Sequence, residues 1–214
     1  DAFSYSSRGS AYSYLGEYDD AIADYTRAIK VDSEYKYAYR NRADLYSDLE
    51  NYEDAISDYT RAIELDPEYK YAYVGRGNAY SDLGNYEDAI SDYTRAIRID
   101  PDYDYAYRVR GDAYSDLENY EDAIADYTRA IRIKPDYAIA YYNRGLVYGQ
   151  RLNNLEEAIS DFTRAIKINP DYTAAFSNRG YAKKLLGLPY CSDYKEACNL
   201  GNESACEWYN DDCK

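Results

Sequence analysis

SDLGNYEDAISDYTRAI, residues Ser81–Ile97, decides the fold because the chain carries two near-identical copies of it. The copies SDLENYEDAISDYTRAI from Ser47 and SDLENYEDAIADYTRAI from Ser115 each lie 34 residues away. Diverged copies extend the series through YLGEYDDAIADYTRAI from Tyr14 and NNLEEAISDFTRAI from Asn153. A fixed period of this length marks a tandem array of small units. Inside one period the apolar residues recur at three, four and seven. They run through Tyr73, Gly77, Tyr80 and Leu83, then through Tyr86, Ala89, Ile90, Tyr93, Ala96 and Ile97. That spacing predicts two amphipathic helices. Asn85 ahead of Glu87 and Asp88 reads as an N-cap with an acidic first turn. Pro67, Pro101, Pro135 and Pro170 end the second helix. A helical pair this small cannot bury its apolar face alone, so neighbours must stack to complete the core.

Composition narrows the function classes. The 214 residues carry 25 Lys+Arg against 40 Asp+Glu, a net charge of −15. Such a chain is a poor match for nucleic-acid phosphates or anionic lipid. No apolar run approaches the ~18 residues of a membrane helix, and no signal-peptide pattern opens the chain. With no His, imidazole-based catalysis and most zinc sites are excluded. With no Met, Asp1 is not a translation start, and the expectation is a processed product or a piece of a longer chain with a neighbouring domain.

Each unit resembles a tetratricopeptide repeat. In the third unit the matching positions are Tyr73, Gly77, Tyr80, Ala89, Tyr93, Ala96 and Pro101. The resemblance implies an all-α, right-handed solenoid of six units, at 2–35, 36–69, 70–103, 104–137, 138–172 and 173–200, so that 1–200 is the array. Residues 201–214 read as a closing helix. The fifth unit has one extra residue near Arg151, and the sixth lacks two in its turn. Ser33 replaces a proline, which predicts a looser first junction. Glu50 and Glu118 replace the usual turn glycine. The seventh place, commonly Leu in the family, is Arg8, Arg42, Arg76, Arg110, Arg144 and Arg179. Asp24, Asp58, Asp92, Asp126, Asp161 and Asp193 recur on the second helix. The expectation is an ion pair tying the two helices of each unit, which specifies geometry more than it adds stability.

Tyrosine is the compositional outlier, at 32 against 3 Phe and 1 Trp. Most occupy framework places. Eight do not: Tyr14, Tyr37, Tyr71, Tyr105, Tyr142, Tyr181, Tyr190 and Tyr209. In the family the first helix of each unit lines a concave groove that holds extended peptides, and six of the eight fall on groove-facing places. Asp44, Asp48, Asp82, Asp112 and Asp116 share those places, with Asn78 and Asn143, and with Arg40 and Arg108 opposing the carboxylates. The resemblance therefore implies an acidic, tyrosine-lined groove suited to a protein segment with basic and apolar residues. The competing interpretation treats Arg40–Asp44 and Arg108–Asp112 as ordinary helix pairs worth ~0.3–0.5 kcal/mol, and the tyrosines as compositional bias. The carboxylate clamp that holds chaperone C-terminal tails in some family members has no counterpart: the positions carry Ser6, Ser10, Arg40, Asn41, Asp44, Tyr71 and Gly75.

Cys191, Cys198, Cys206 and Cys213 all lie near the C-terminus. Seven residues, about two helical turns or ~10.5 Å, separate the first pair and the last pair. Each pair is too far apart for a disulfide within its helix. In an antiparallel helix pair the connectivity that fits is nested: Cys198–Cys206 and Cys191–Cys213. ACNLGNESAC also resembles the clasped helical pair of secreted Sel1-like repeats. Reduced core cysteines are the alternative; a four-cysteine metal site needs sulfurs closer together than two layers allow. Disulfides would suit a secreted, periplasmic or lumenal setting, and reduced cysteines the cytoplasm.

The function expected is a non-enzymatic scaffold without cofactor or metal, binding a partner protein or peptide, with no nucleic acid and no membrane insertion. The alternatives are a self-assembling solenoid, forming homo-oligomers through its uncapped first repeat, or the regulatory repeat region of a larger protein.

Overall fold

The computed structural model describes residues 1–214, and its chain contacts gather into two compact units, 1–113 and 114–214. The first unit holds α1 (Ala2–Tyr14), α2 (Tyr18–Val31), α3 (Lys36–Asp48), α4 (Tyr52–Leu65), α5 (Lys70–Asp82) and α6 (Tyr86–Ile99). Helix α7 (Asp104–Asp116) runs across the division. The second unit holds α8 (Tyr120–Ile133), α9 (Ala138–Leu146), α10 (Leu155–Ile168), α11 (Thr173–Leu185), α12 (Cys191–Asn199) and α13 (Glu203–Cys213). The chain is all-helical, in repeated helix-turn-helix pairs. No helix is long and apolar enough to cross a membrane.

Alanine and tyrosine together make the core. Ala43, Ala55, Ala62 and Ala72 are fully buried and let helices approach closely, while the Tyr59 and Tyr69 rings fill the space between them. The next cluster repeats the scheme with Ala89, Ala96, Ala106 and Tyr93. Gly77 marks a close crossing, where a Cβ would stand 2.6 Å from Tyr93 Cε1. From α1 to α6 and from α8 to α13 successive helices pack on one another, and α3 also touches both α1 and α5, so first helices of successive repeats adjoin there.

The repeated arginines do more than pair within a repeat. Arg42 holds Asp58 with two bonds of 2.6 and 2.8 Å, and Arg76 holds Asp92 at 2.7 and 2.8 Å. Arg8–Asp24, Arg144–Asp161 and Arg179–Asp193 follow the same pattern. In addition Arg42 donates to Thr26, Arg76 to Thr60, Arg110 to Thr94 and Arg144 to Thr128. Each threonine lies on the second helix of the preceding repeat. The planar guanidinium, with five donors in fixed directions, can satisfy both partners at once. One side chain thus sets the geometry within a repeat and between repeats.

Three local expectations need correction or completion. Asn85 opens α6, but its side chain accepts no capping bond: its backbone (φ −87°, ψ 66°) lies outside the extended region that aims a cap over the first turn. The first junction keeps the geometry of the proline-containing ones. Asp32 has φ −143° and ψ 101°, against −143° and 96° at Asp66. Its carboxylate accepts from Glu34 N at 2.9 Å, as Asp66 does from Glu68 N at 3.0 Å. A side-chain turn therefore shapes the junction without proline. The extra residue of the fifth repeat is absorbed as a π-helical turn, Val147–Arg151, that continues α9.

At the C-terminus Cys191 bonds Cys213 and Cys198 bonds Cys206, with Cα separations of 5.7 and 4.6 Å. The two bridges tie α12 to α13 at both ends of the pair. Disulfides over loops of this size contribute about 2–4 kcal/mol each by restricting the unfolded chain.

Candidate functional site

A chain of tyrosines runs along the first unit. Rings of Tyr35, Tyr37, Tyr69, Tyr71, Tyr103 and Tyr105 succeed one another at centroid separations of 5.5, 5.8, 5.9, 6.0 and 6.2 Å. The first four contacts are edge-to-face, the arrangement that the ring quadrupole favours. Helices α3, α5 and α7 each contribute one ring from their first turn, and the residue just before each helix contributes the next. Tyr37 and Tyr71 are 45% and 49% exposed, whereas Tyr69 is 8% exposed. Burial pushes the hydroxyls of Tyr69 and Tyr103 up to about 12. Lys36 lies over the Tyr37 and Tyr69 rings and pairs with Asp66; Lys70 lies over Tyr71 and Tyr103 and pairs with Asp100 at 2.5 Å. The ladder is thus braced by cations on its own scaffold, and its outer rings face solvent.

On the same first helices the carboxylates divide into two kinds. Asp44 is half-buried, paired with Arg40 at 2.8 Å, and accepts the Tyr59 hydroxyl at 2.7 Å. Burial raises its pKa above the usual aspartate value despite the arginine. Arg108 and Asp112 pair at 2.5 Å. Asp48 and Asp82 face solvent at the ends of α3 and α5, and the partial loss of hydration at its carboxyl raises the pKa of Asp82 as well. Tyrosine hydroxyls from the second helices reach residues of the first helices: Tyr25 donates to Ser10 at 3.2 Å, Tyr59 to Asp44 and Tyr93 to Asn78 at 2.9 Å. Sequence spacing assigned those tyrosines to the framework and gave no sign that their hydroxyls reach the groove-lining places.

Of the residues read from the sequence, the first unit brings Asn78, Asp82, Tyr105 and Asp112 to one cavity of about 270 Å³, together with Ser81 and Tyr93. Asn78 Nδ2 donates to the Tyr105 hydroxyl at 3.3 Å across it. Tyr37, Arg40, Asp44, Asp48, Tyr71 and Arg108 belong to the same unit outside that cavity. Asp116, Tyr142 and Asn143 belong to the second unit. There Tyr142 stacks on Tyr172 at 4.8 Å and accepts a hydrogen bond from Asn178 at 3.1 Å.

Sequence patterns described as tetratricopeptide repeat match residues 2–35, 40–104 and 138–172, and one described as TPR repeat matches 111–151. No curated protein matches the sequence. Among solved structures, that of MamA is 28% identical at a TM-score of 0.70, covering 76% of this chain and 94% of its own. YrrB, described as a TPR protein with an unusual peptide-binding site, is 24% identical at a TM-score of 0.67, covering 87% and 97%. A tetratricopeptide repeat protein from Parabacteroides merdae is 22% identical at 0.71, covering 96% and 82%. The last two likenesses speak to the fold alone. Repeat period, paired helices and matched patterns agree: the chain belongs to the tetratricopeptide repeat family.

Proposed function

We propose that this chain is a non-enzymatic interaction scaffold, and that its N-terminal unit binds an extended partner segment carrying basic residues between apolar ones. The observation that carries this reading is the exposed tyrosine ladder on the first turns of α3, α5 and α7, together with the solvent-facing carboxylates Asp48 and Asp82 at the other ends of α3 and α5. Tyrosine faces attract cations and cover apolar side chains, and the carboxylates add charge complementarity. The ~270 Å³ cavity, with Asn78 and Ser81 beside Asp82, offers hydrogen-bonding groups to a passing peptide backbone. Arg40 with Asp44, and Arg108 with Asp112, act mainly to hold the face in shape. Asp116, Tyr142 and Asn143 carry the same reading on the second unit. We take residues 1–200 as the array and 201–214 as its closing helix.

The test uses a ten-residue peptide alternating Lys with Leu and its counterpart with Glu for Lys, titrated by fluorescence anisotropy. The basic peptide should bind and the acidic one should not. The double variant Asp48→Lys/Asp82→Lys should weaken the basic peptide at least tenfold, about 1.4 kcal/mol. Equal binding of both peptides, or no change in the variant, would remove the acidic groove as the site.

A further inference from the structure

The fifth repeat departs from its neighbours at three points, and all three meet at one pocket in the second unit. Leu155 stands at the place filled by Tyr18, Tyr52, Tyr86 and Tyr120. Phe162 stands at the place of Tyr25, Tyr59 and Tyr93, and so lacks the hydroxyl that reaches across to the first helix in those repeats. The inserted residue widens the end of α9 into the π turn Val147–Arg151, a feature often found at functional sites. The shortened side chain and the widened turn leave a pocket of about 300 Å³. Phe162 and Leu155 line it and are buried; Tyr181 and Leu185 at its edge are each 54% exposed.

The pocket is neutral in a chain of charge −15: none of its lining side chains is ionisable to a carboxylate or a cation. Carboxamides supply its polarity. Asn178 is fixed by donating to the Tyr142 hydroxyl at 3.1 Å and to the Ala174 carbonyl at 3.0 Å. Gln150 is exposed and donates to Asn178 Oδ1 over a long 3.4 Å. A charged occupant would lose hydration here with no counter-charge to meet it, which costs several kcal/mol. The volume sits at the lower end of the ~300–1,000 Å³ range of small-molecule sites. It fits one large side chain and its adjoining peptide better than a cofactor.

We propose that this pocket is a side-chain subsite for a neutral, apolar residue of leucine or phenylalanine type within an extended partner segment, with Gln150 and Asn178 meeting the segment's backbone. It rests on the reading of the chain as a peptide-binding scaffold, but not on the acidic face of the first unit. The two recognise different chemistry and fail separately.

The probes are N-acetyl-leucinamide and N-acetyl-phenylalaninamide, with N-acetyl-lysinamide as the charged control, titrated into the intact oxidised chain and followed by ¹H–¹⁵N spectra. Expected are saturable shifts at the amides of Gly149, Asn178 and Ala182 from the two apolar probes, at least fivefold weaker with the lysine probe. Leu155→Tyr, which restores the residue of the earlier repeats, should weaken the apolar probes at least fivefold. Tyr181→Ala, at an exposed position, should do so by a similar factor and keeps the test open if the first variant folds poorly. Asp48→Lys/Asp82→Lys should leave these shifts unchanged, so that loss of the acidic-face reading does not decide this one. Absence of saturable shifts, an equal response to the lysine probe, or unaltered affinity in folded Tyr181→Ala would overturn the subsite.

Discussion

Tyr59 can reach Asp44 because residue 75 has no side chain: a Cβ at Gly75 would stand 2.4 Å from Tyr59 Cζ and 2.8 Å from its hydroxyl. Alanine there would gain about 1 kcal/mol in helix propensity. It would also force the ring aside, at a typical overpacking cost of about 1–3 kcal/mol, and release a charge-assisted hydrogen bond. Gly75→Ala is therefore expected to lower the urea midpoint, by the equivalent of roughly 1–2 kcal/mol. An unchanged or raised midpoint would mean that the ring relocates freely. None of this was legible in the sequence. Gly75 occupies a groove place, where the repeat pattern imposes no residue, and its neighbour is a ring from the preceding repeat. The threonines that receive Arg42, Arg76 and Arg144 were missed for the same reason. The Arg and Asp partners were visible because both recur in register; the third partner belongs to another repeat.

At the scale of elements, helix number, type and pairing follow from a period of 34 and from apolar spacing. Turn substitutions show where the pattern pays a conformational cost. Gly16 and Gly84 have φ of 80° and 77°, and Glu50 and Glu118 occupy the same left-handed region at 59° and 61°. A residue with a Cβ there costs about 1–2 kcal/mol, of which glycine returns part as unfolded-chain entropy. Glu118→Gly should accordingly raise thermal stability by about 0.5–1 kcal/mol, read as an upward shift in the calorimetric midpoint. A fall would mean that the glutamate side chain makes a compensating contact. The extra residue of the fifth repeat could be counted from the sequence, but its form could not. A longer loop and a widened helix have the same length; the structure has the π turn, which brings Gly149 so near Ala158 that an added Cβ would come within 3.1 Å.

For the whole molecule, a charge of −15 and a sequence pI near 4.4 mean that folding compresses like charges at neutral pH. Asp44 and Asp82 carry pKa values raised by burial above the ordinary 3.8. Their ionisation therefore erodes stability as pH rises above 3.8, and protonation on mild acidification restores it. Asp24, Asp66 and Asp100 are shifted the other way by hydrogen bonds from Arg8, Lys36 and Lys70. What they contribute is present above 3.8 and is lost as pH falls below it. The melting midpoint should rise modestly as the pH falls toward 3.8 and drop below it. A midpoint that falls steadily from pH 7 downward would show that the buried carboxylates are stabilised as anions. The acidic balance itself was plain in the composition. Which carboxylates are engaged and which face solvent depended on folding: Asp44 and Asp48 are one turn apart, yet only Asp44 is tied to Tyr59.

The central claim is the location of partner binding, and the most direct measurement is a ¹H–¹⁵N titration of the intact chain with the alternating Lys–Leu peptide. The expected result is a set of saturable shifts centred on Tyr37, Tyr71, Asn78, Asp82 and Tyr105, reduced by Tyr71→Ala and by added salt. Shifts centred instead on α2, α4 and α6, or spread evenly without saturation, would contradict it.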